Sequence, residues 1–212
     1  MERFLLLGDS NFHYNDGRVW FNPWLSSYST AMFVELQASA AGVKTTQVGW
    51  RCLRARSYDR MALEAALQLL DQLTAKTTVV VALGQNDALD FTNRAGGRAL
   101  TEAEERDYEN HVVEHMLKLR SDLEAHACVV SVIYVLPFDH SAAASFHPSY
   151  PKLMDRLSRT VRQKTESWKW RTMTYVPPDT VFLKDLMHLT RYGRMEFAEA
   201  ICAAAVRGRG DV

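Results

Sequence analysis

A serine, a histidine and two other polar residues in this chain are of the types that together carry out acyl transfer. Ser10 follows an apolar segment near the start, Asn86 follows a β-branched segment near the middle, and His188 lies near the end. A serine hydroxyl is a weak nucleophile at neutral pH, so it needs an adjacent base and donors that stabilise the oxyanion. Asp185 precedes His188 by three residues, which places both side chains on one side of a helical turn. We therefore expect Ser10 to attack, His188 to act as base and acid, and Asp185 to orient the imidazole.

Short sequence blocks surround these residues. They run from Gly8 to Ser10, from Gly84 to Asp87 and from Asp185 to His188, the last being followed by Leu189, Thr190 and Gly193. Their content and order resemble the GDS, GxND and DxxH blocks of the SGNH (GDSL-type) hydrolases, and the resemblance covers nearly the whole chain. It implies that Ser10, Asp185 and His188 form a catalytic triad. It also implies that the Ser10 N–H and the Asn86 side chain donate to the oxyanion, while Asp9 and Asp87 hold the block loops by hydrogen bonds.

The second block departs from the pattern of that family. The family has a glycine here whose backbone N–H contributes to the oxyanion hole, often within a longer Asn-x-Gly-x-Ser-Gly run. The corresponding segment, 47–52, contains one glycine, Gly49. Alignment on the end of the preceding strand makes Gly49 the third oxyanion donor, whereas alignment on the longer run places Cys52 there. We take Gly49 as the donor and keep Cys52 as the alternative.

None of the blocks is specific by itself, because Gly and Asp are common where strands enter loops. Their joint occurrence in the family's order favours the catalytic interpretation. The order also argues against the α/β-hydrolase fold, which carries its serine in a G-x-S-x-G turn.

Alternating strands and helices would position these blocks. The sequence predicts strands over 3–7, 43–48, 77–83, 128–136 and 172–176, and helices over 26–41, 59–75, 101–127, 151–167 and 191–206. Five strands separated by helices predict a single three-layer α/β/α domain over residues 1–212, with a five-stranded parallel sheet. The resemblance to the SGNH hydrolases implies that this sheet has their flavodoxin-like arrangement. Sites in such sheets lie beyond the carboxyl ends of the strands, which is where the first three blocks fall.

Charge and apolar patterning exclude several classes of protein. Lys and Arg total 25 and Asp and Glu total 25, so no net field favours nucleic acid or an anionic membrane. No segment is long enough to span a bilayer, and the first residues lead into a strand without an apolar signal segment, so we expect a cytoplasmic protein. The three cysteines, Cys52, Cys128 and Cys202, are spaced too widely for a disulfide framework or a zinc ribbon.

A rival interpretation is a metallopeptidase, because residues 111–115 read H-x-x-E-H. This pattern belongs to inverted zinc peptidases, and its spacing puts the imidazoles of His111 and His115 one helical turn apart. The pattern is short, both histidines flank an apolar stripe that faces the predicted core, and no third ligand identifies itself. We expect a partly exposed structural pair, and an enzyme without metal or organic cofactor.

A second alternative function is a weakly catalytic or non-catalytic RNA-binding or interaction module of the same fold. Basic and aromatic residues alternate in the segments 162–164 and 168–171, where stacking and phosphate contacts could hold a nucleic-acid strand. The same fold class also contains an RNA-binding domain of the animal germline that lacks the catalytic residues. Because Ser10, Asp185 and His188 are all present here, we favour the hydrolase and do not expect a nucleic-acid partner.

The substrate is expected to be a small-molecule, glycan or lipid ester. His13 and the aromatic residues Tyr14, Trp20, Phe21, Trp24, Phe138 and Phe146 could line its pocket. His13 also competes with His188 for the role of base. Because no inserted cap domain is visible, we expect an open groove and a preference for short acyl chains, with the alcohol or thiol of the ester left open.

Overall fold

The computed structural model describes residues 3–8, 30–49, 75–138, 147–176 and 189–207, together with residues 64, 67, 68, 70 and 71. Its strands are β1 (Arg3–Gly8), β2 (Lys44–Gly49), β3 (Thr77–Ala82), β4 (Val129–Val135) and β5 (Arg171–Met173). Its helices are α1 (Thr30–Ala40), α2 (Gln85–Ala95), α3 (Glu102–Glu124), α4 (Tyr150–Trp168) and α5 (Arg191–Arg207).

These strands form one parallel sheet in the order β2-β1-β3-β4-β5. This is the flavodoxin-like strand order, in which the chain changes direction across the sheet between β1 and β3. Three neighbouring strands end at the same level, because Gly8 pairs with Gly49 on one side and with Ala82 on the other. The predicted fold class, an α/β protein with a five-stranded parallel sheet, is therefore confirmed.

Apolar residues cover both faces of the sheet, and those of β1 alternate between the faces. Leu5 and Leu7 pack with α3 and α4, whereas Phe4 and Leu6 pack with α1 and α5. The predicted inward residues of α3 are buried, namely Val112, Met116, Leu119 and Leu123. Those of α5, Phe197 and Ile201, are buried as well. The result is the expected three-layer arrangement, with one core on each side of the sheet.

The capping box predicted at the start of α3 is present. The Glu104 backbone N–H donates to the Thr101 hydroxyl at 3.3 Å, and the Thr101 N–H donates to the Glu104 carboxylate at 2.8 Å. Arg98 donates to the same carboxylate from outside the helix. The hydrogen bonds from Arg98 and then from Thr101 lower the pKa of Glu104 to about 2, so this carboxylate caps the helix in its ionised form.

One helix was not predicted, one strand ends earlier than predicted, and one predicted helix can be compared only in part. Helix α2 was not predicted, because its sequence is polar and buries only Asp87, Ala88, Thr92 and Ala95. The last strand was predicted over 172–176 but ends at Met173, whose carbonyl accepts the last ladder contact from the Leu136 N–H at 2.8 Å. Most of the helix predicted over 59–75 lies outside the described residues, although residues 64, 67, 68, 70 and 71 are helical.

No helix in the described part of the chain is both long enough and apolar enough to cross a bilayer.

Candidate active site

The predicted site residues are only partly visible. The triad Ser10, Asp185 and His188 lies outside the described residues, as do Cys52 and His13. Gly49 is the last residue of β2, and Asn86 is the second residue of α2. The triad therefore stays a prediction, while the positions of two predicted oxyanion donors can be described.

The described residues nearest the triad belong to the sheet and to one of its two apolar cores. Gly8, two residues before Ser10, lies level with Gly49 and Ala82 at the carboxyl ends of their strands. Leu189, which follows His188 directly, is fully buried in the apolar core on the α1 and α5 face. Parallel sheets place their sites at the carboxyl ends of the strands, and at this edge Gly49 ends β2 and Asn86 follows β3.

The turn that leads from β3 into α2 requires its glycine. Gly84 has φ +106°, a conformation that L side chains rarely adopt. A Cβ atom at this position would lie 2.7 Å from the Leu157 Cδ2 atom on α4. Both the backbone conformation and the close approach of the Leu157 side chain therefore disfavour a side chain two residues before Asn86.

Two buried tyrosines hold the carbonyl groups of this turn. The Tyr134 hydroxyl of β4 donates to the Leu83 carbonyl at 3.1 Å, and the Tyr108 hydroxyl of α3 donates to the Gly84 carbonyl at 3.2 Å. Burial, with a further contribution from the charge of Asp87, raises the pKa of Tyr108 well above its ordinary value. Tyr108 therefore remains protonated and keeps its donor over the physiological pH range.

Asp87, the residue after Asn86, is fixed by a histidine of α3. Its side chain is only 2% exposed, and its Oδ1 atom lies 2.7 Å from Nε2 of His111. The prediction that Asp87 holds its block by a hydrogen bond agrees with this contact. The role of His111 was missed, because the partners are 24 residues apart and no local spacing pattern indicates such a pair.

The H-x-x-E-H segment forms a partly exposed pair, as expected. The rings of His111 and His115 lie with their centroids 4.3 Å apart and their planes tilted by 34°, and Nε2 of His111 contacts the Asp87 carboxylate. Within the described ranges, no group of three or more His, Cys, Asp or Glu side chains is placed to hold a metal ion.

A cleft opens between the ends of β3 and β4, next to the turn that carries Asn86. It is lined by Ala82, Leu83, Gln85, Val135, Leu136, Pro137, Phe138 and Phe197. The rings of Phe138 and Phe197 meet edge to face with centroids 5.3 Å apart, and both side chains are buried. Phe138, a predicted pocket residue, therefore contributes to an apolar wall at this edge.

The basic and aromatic segment at the end of α4 packs largely against the protein itself. Trp170 is 9% exposed and lies in the core, and the Arg120 guanidinium covers the Trp168 ring at 5.1 Å. Arg171 donates to the Ala204 carbonyl at 2.9 Å and to the Ser131 hydroxyl at 3.1 Å. These contacts engage Trp168, Trp170 and Arg171 within the protein, whereas Arg162 and Lys169 of the same segments are exposed.

Comparison with solved structures finds the same architecture over almost the entire chain. A member of the lipolytic G-D-S-L family from Veillonella parvula aligns with TM-score 0.64 and 11% identity, covering 98% of this chain and 100% of the other. The aryl esterase of M. smegmatis aligns with TM-score 0.63 and 17% identity, covering 98% and 99%. An acetyl xylan esterase variant from Geobacillus stearothermophilus aligns with TM-score 0.59 and 16% identity, covering 95% and 93%. No protein-family model and no curated protein matches the sequence.

Proposed function

We propose that this chain, which has the fold of the SGNH (GDSL-type) hydrolases, is a single-domain serine esterase that works through an acyl-enzyme intermediate. The observation that carries the proposal is the level ending of β2, β1 and β3, at Gly49, Gly8 and Ala82. It brings the chain segments of three sequence blocks to one edge of the sheet, where Asn86 lies in the first turn of α2.

The proposed reaction follows from the residue types. The Ser10 Oγ atom attacks the ester carbonyl carbon while His188, oriented by Asp185, takes its proton. The resulting oxyanion accepts hydrogen bonds from the Ser10 N–H, the Asn86 side-chain amide and the Gly49 N–H. His188 then protonates the leaving alcohol, which departs as the acyl-enzyme forms. A water molecule, deprotonated by His188, hydrolyses that intermediate and restores Ser10.

The rigid support of the β3–α2 turn favours Asn86 as an oxyanion donor. Donors stabilise a transition state most when they are positioned before the reaction begins, since little energy is then lost in reorganisation. The turn is held by Tyr134, Tyr108 and the Asp87–His111 pair, all of which are buried or partly buried. Asn86 also lies at the positive end of the α2 dipole, which favours a developing negative charge.

The cleft beside Asn86 favours short acyl groups as substrates. Phe138 and Phe197, which line this cleft, pack edge to face. Tyr175 stacks on Phe197 with centroids 5.1 Å apart, so the wall of the cleft is a packed cluster of three rings. An acetyl or butyryl group needs little depth. The names of two structural neighbours, an aryl esterase and an acetyl xylan esterase, are consistent with small acyl donors or small ester substrates.

The test is covalent labelling with a fluorophosphonate probe, followed by peptide mapping. Wild-type protein should be labelled at Ser10, and Ser10→Ala should fold normally but lose both labelling and esterase activity. Ser121→Ala, which changes an exposed serine on α3, is the matched control and should be labelled like wild type. Labelling at another serine, or full activity in Ser10→Ala, would refute the assignment.

A further inference from the structure

The Asp87–His111 pair joins the two helices that follow β3, at the residue next to the proposed oxyanion donor. Asp87 is the third residue of α2 and follows Asn86 directly, whereas His111 lies on α3. We propose that His111 is a positioning residue, which acts through Asp87 to keep the first turn of α2, and hence Asn86, in the geometry that oxyanion stabilisation requires. This inference rests on the proposed function, because it assigns His111 to the same site.

Burial makes the Asp87 carboxylate dependent on its partner. A carboxylate that is 2% exposed is costly unless hydrogen-bond donors replace the water it has lost. His111 supplies a donor at 2.7 Å, within the range of a charge-assisted hydrogen bond. Without it, the buried carboxylate would lose one of the contacts that offset its burial, which favours a shift of the Asp87 side chain. Because Asn86 and Asp87 are consecutive residues of one helical turn, such a movement would displace Asn86.

His111 can act as a fixed support because its own ring is packed on two sides. The Phe91 ring of α2 meets it edge to face at 5.6 Å, and the His115 ring lies at 4.3 Å on the next turn of α3. The side chain is 18% exposed, so most of the imidazole is enclosed. The position of Nε2 is therefore determined by packing as well as by the hydrogen bond.

The pair completes a set of attachments on both sides of Asn86. Tyr134 and Tyr108 hold the carbonyl groups of Leu83 and Gly84, which come before Asn86 in the chain. The His111 contact holds Asp87, which comes after it. Loss of the His111 contact would weaken the support on the downstream side of the turn. A misplacement of about 1 Å in a catalytic group can lower the rate by about a hundredfold.

A second histidine–aspartate pair offers a matched control away from the site. Nδ1 of His126 lies 2.7 Å from Oδ1 of Asp71, the same separation as in the first pair. His126 lies between the end of α3 and the start of β4, at the amino end of the strands, so it has no link to Asn86. Asp71 is 66% exposed, so loss of this pair should cost less stability.

The experiment compares kinetics in five single variants and one double variant. His111→Ala and His111→Phe, which keeps a ring in the same place, should lower kcat for p-nitrophenyl acetate by about 10- to 100-fold with KM nearly unchanged. His111→Gln should recover part of kcat, since its amide can donate to Asp87. His126→Ala should stay within about twofold of wild type. The double variant Asn86→Ala/His111→Phe should be no slower than Asn86→Ala, because His111 acts through Asn86.

An NMR measurement separates this inference from the proposed function. The side-chain amide signals of Asn86, assigned by their loss in Asn86→Ala, should shift in His111→Phe and not in His126→Ala. If wild-type protein shows no esterase activity, the proposed function fails, whereas a shift of these signals still supports the positioning role. The positioning role of His111 would be overturned if the Asn86 signals are unchanged in folded His111→Phe. It would also be overturned if the loss of kcat in the double variant equals the product of the losses in Asn86→Ala and His111→Phe.

Discussion

Arg156 of α4 donates to Glu105 of α3 at 3.0 Å, and this contact is the centre of a charged network between the two helices. The second arm of the guanidinium reaches Glu109 at 2.9 Å, and Lys152 approaches Glu105 at 2.7 Å. Burial opposes the ionisation of Glu105, but the hydrogen bonds from Lys152 and Arg156 outweigh it and lower the pKa of this carboxyl. The helices that support the β3–α2 turn are therefore joined by a charge that depends on pH.

The first prediction is that acid weakens the α3–α4 contact through Glu105. Because its folded pKa is lowered, the ionised carboxylate stabilises the fold above the unfolded pKa of about 4.3, and this stability is lost as the pH falls through the folded value. Glu105→Gln should lower the free energy of unfolding at pH 7 by about 1–3 kcal/mol and show a weaker decline below pH 4.3. Urea denaturation at neutral and acidic pH measures both effects. Glu102→Gln, in an exposed pair with Arg106, should change little.

The second prediction concerns the space beside Gly84. Gly84→Ala must adopt a strained φ and press against Leu157, whereas Gly97→Ala meets strain at φ +89° but no atom within 4 Å. Both variants should have a lower free energy of unfolding than wild type. The decrease should be about 1–3 kcal/mol larger for Gly84→Ala because of the overlap with Leu157. Equilibrium unfolding of the two variants gives the difference. Equal losses would show that α4 can move away without cost.

The third prediction separates His188 from the other candidate bases. His188→Ala should lower kcat by at least about a thousandfold, as expected for loss of a triad member. His13→Ala and His115→Ala should lower kcat only slightly. A chelator should leave esterase activity unchanged. Activity that is abolished by the chelator and restored by zinc would instead favour a metal site at His111 and His115.

The fourth prediction concerns the oxyanion donors. Asn86→Ala should lower kcat by about a hundred- to a thousandfold with little change in KM, since the donor acts mainly in the transition state. A backbone donor cannot be removed by truncating a side chain, so its position must be observed. A structure with a covalent phosphonate should place the Gly49 N–H within hydrogen-bonding reach of the phosphonyl oxygen. The Cys52 N–H in that position would show that the second block was aligned incorrectly.

The fifth prediction concerns the length of the acyl chain. Each methylene buried in a deep tunnel would add about 0.8 kcal/mol of binding, so a tunnel would favour long esters steeply. With Phe138 and Phe197 packed behind the cleft, kcat/KM across a series of nitrophenyl esters should be highest for acetyl or butyryl groups. A maximum at octanoyl or longer esters would contradict the open groove. In that case Phe138 does not limit the length of the acyl group, and Phe138→Ala should change the chain-length preference little.

The parts of the fold that were predicted from sequence depend on local patterns. The continuous apolar run from Phe4 to Leu7 indicates a buried strand, and the structure places these residues in both cores. Thr101 and Glu104 form a capping box because the motif lies within one helical turn. In such cases the sequence neighbours and the structural neighbours are the same residues.

The features that were missed depend on contacts between distant parts of the chain. Helix α2 lacks an apolar stripe, because its packing uses Ala88, Thr92 and Ala95 rather than large apolar side chains. The partner of Asp87 is 24 residues away, so His111 was considered with its helical neighbour His115 and its contact with α2 was not foreseen. Long-range pairing of single polar groups leaves no periodic signal in the sequence.

The position of β1 inside the sheet, between β2 and β3, also constrains how the protein folds during synthesis. Of the five described strands this one leaves the ribosome first, yet its two neighbours are formed by residues 44–49 and 77–82. Until the second of these emerges, one edge of an apolar strand has no hydrogen-bond partner and is open to pairing with other chains. After that point β4 and β5 add to the growing edge in the order of their synthesis. Chaperone binding to nascent chains should therefore decline once β3 has left the exit tunnel.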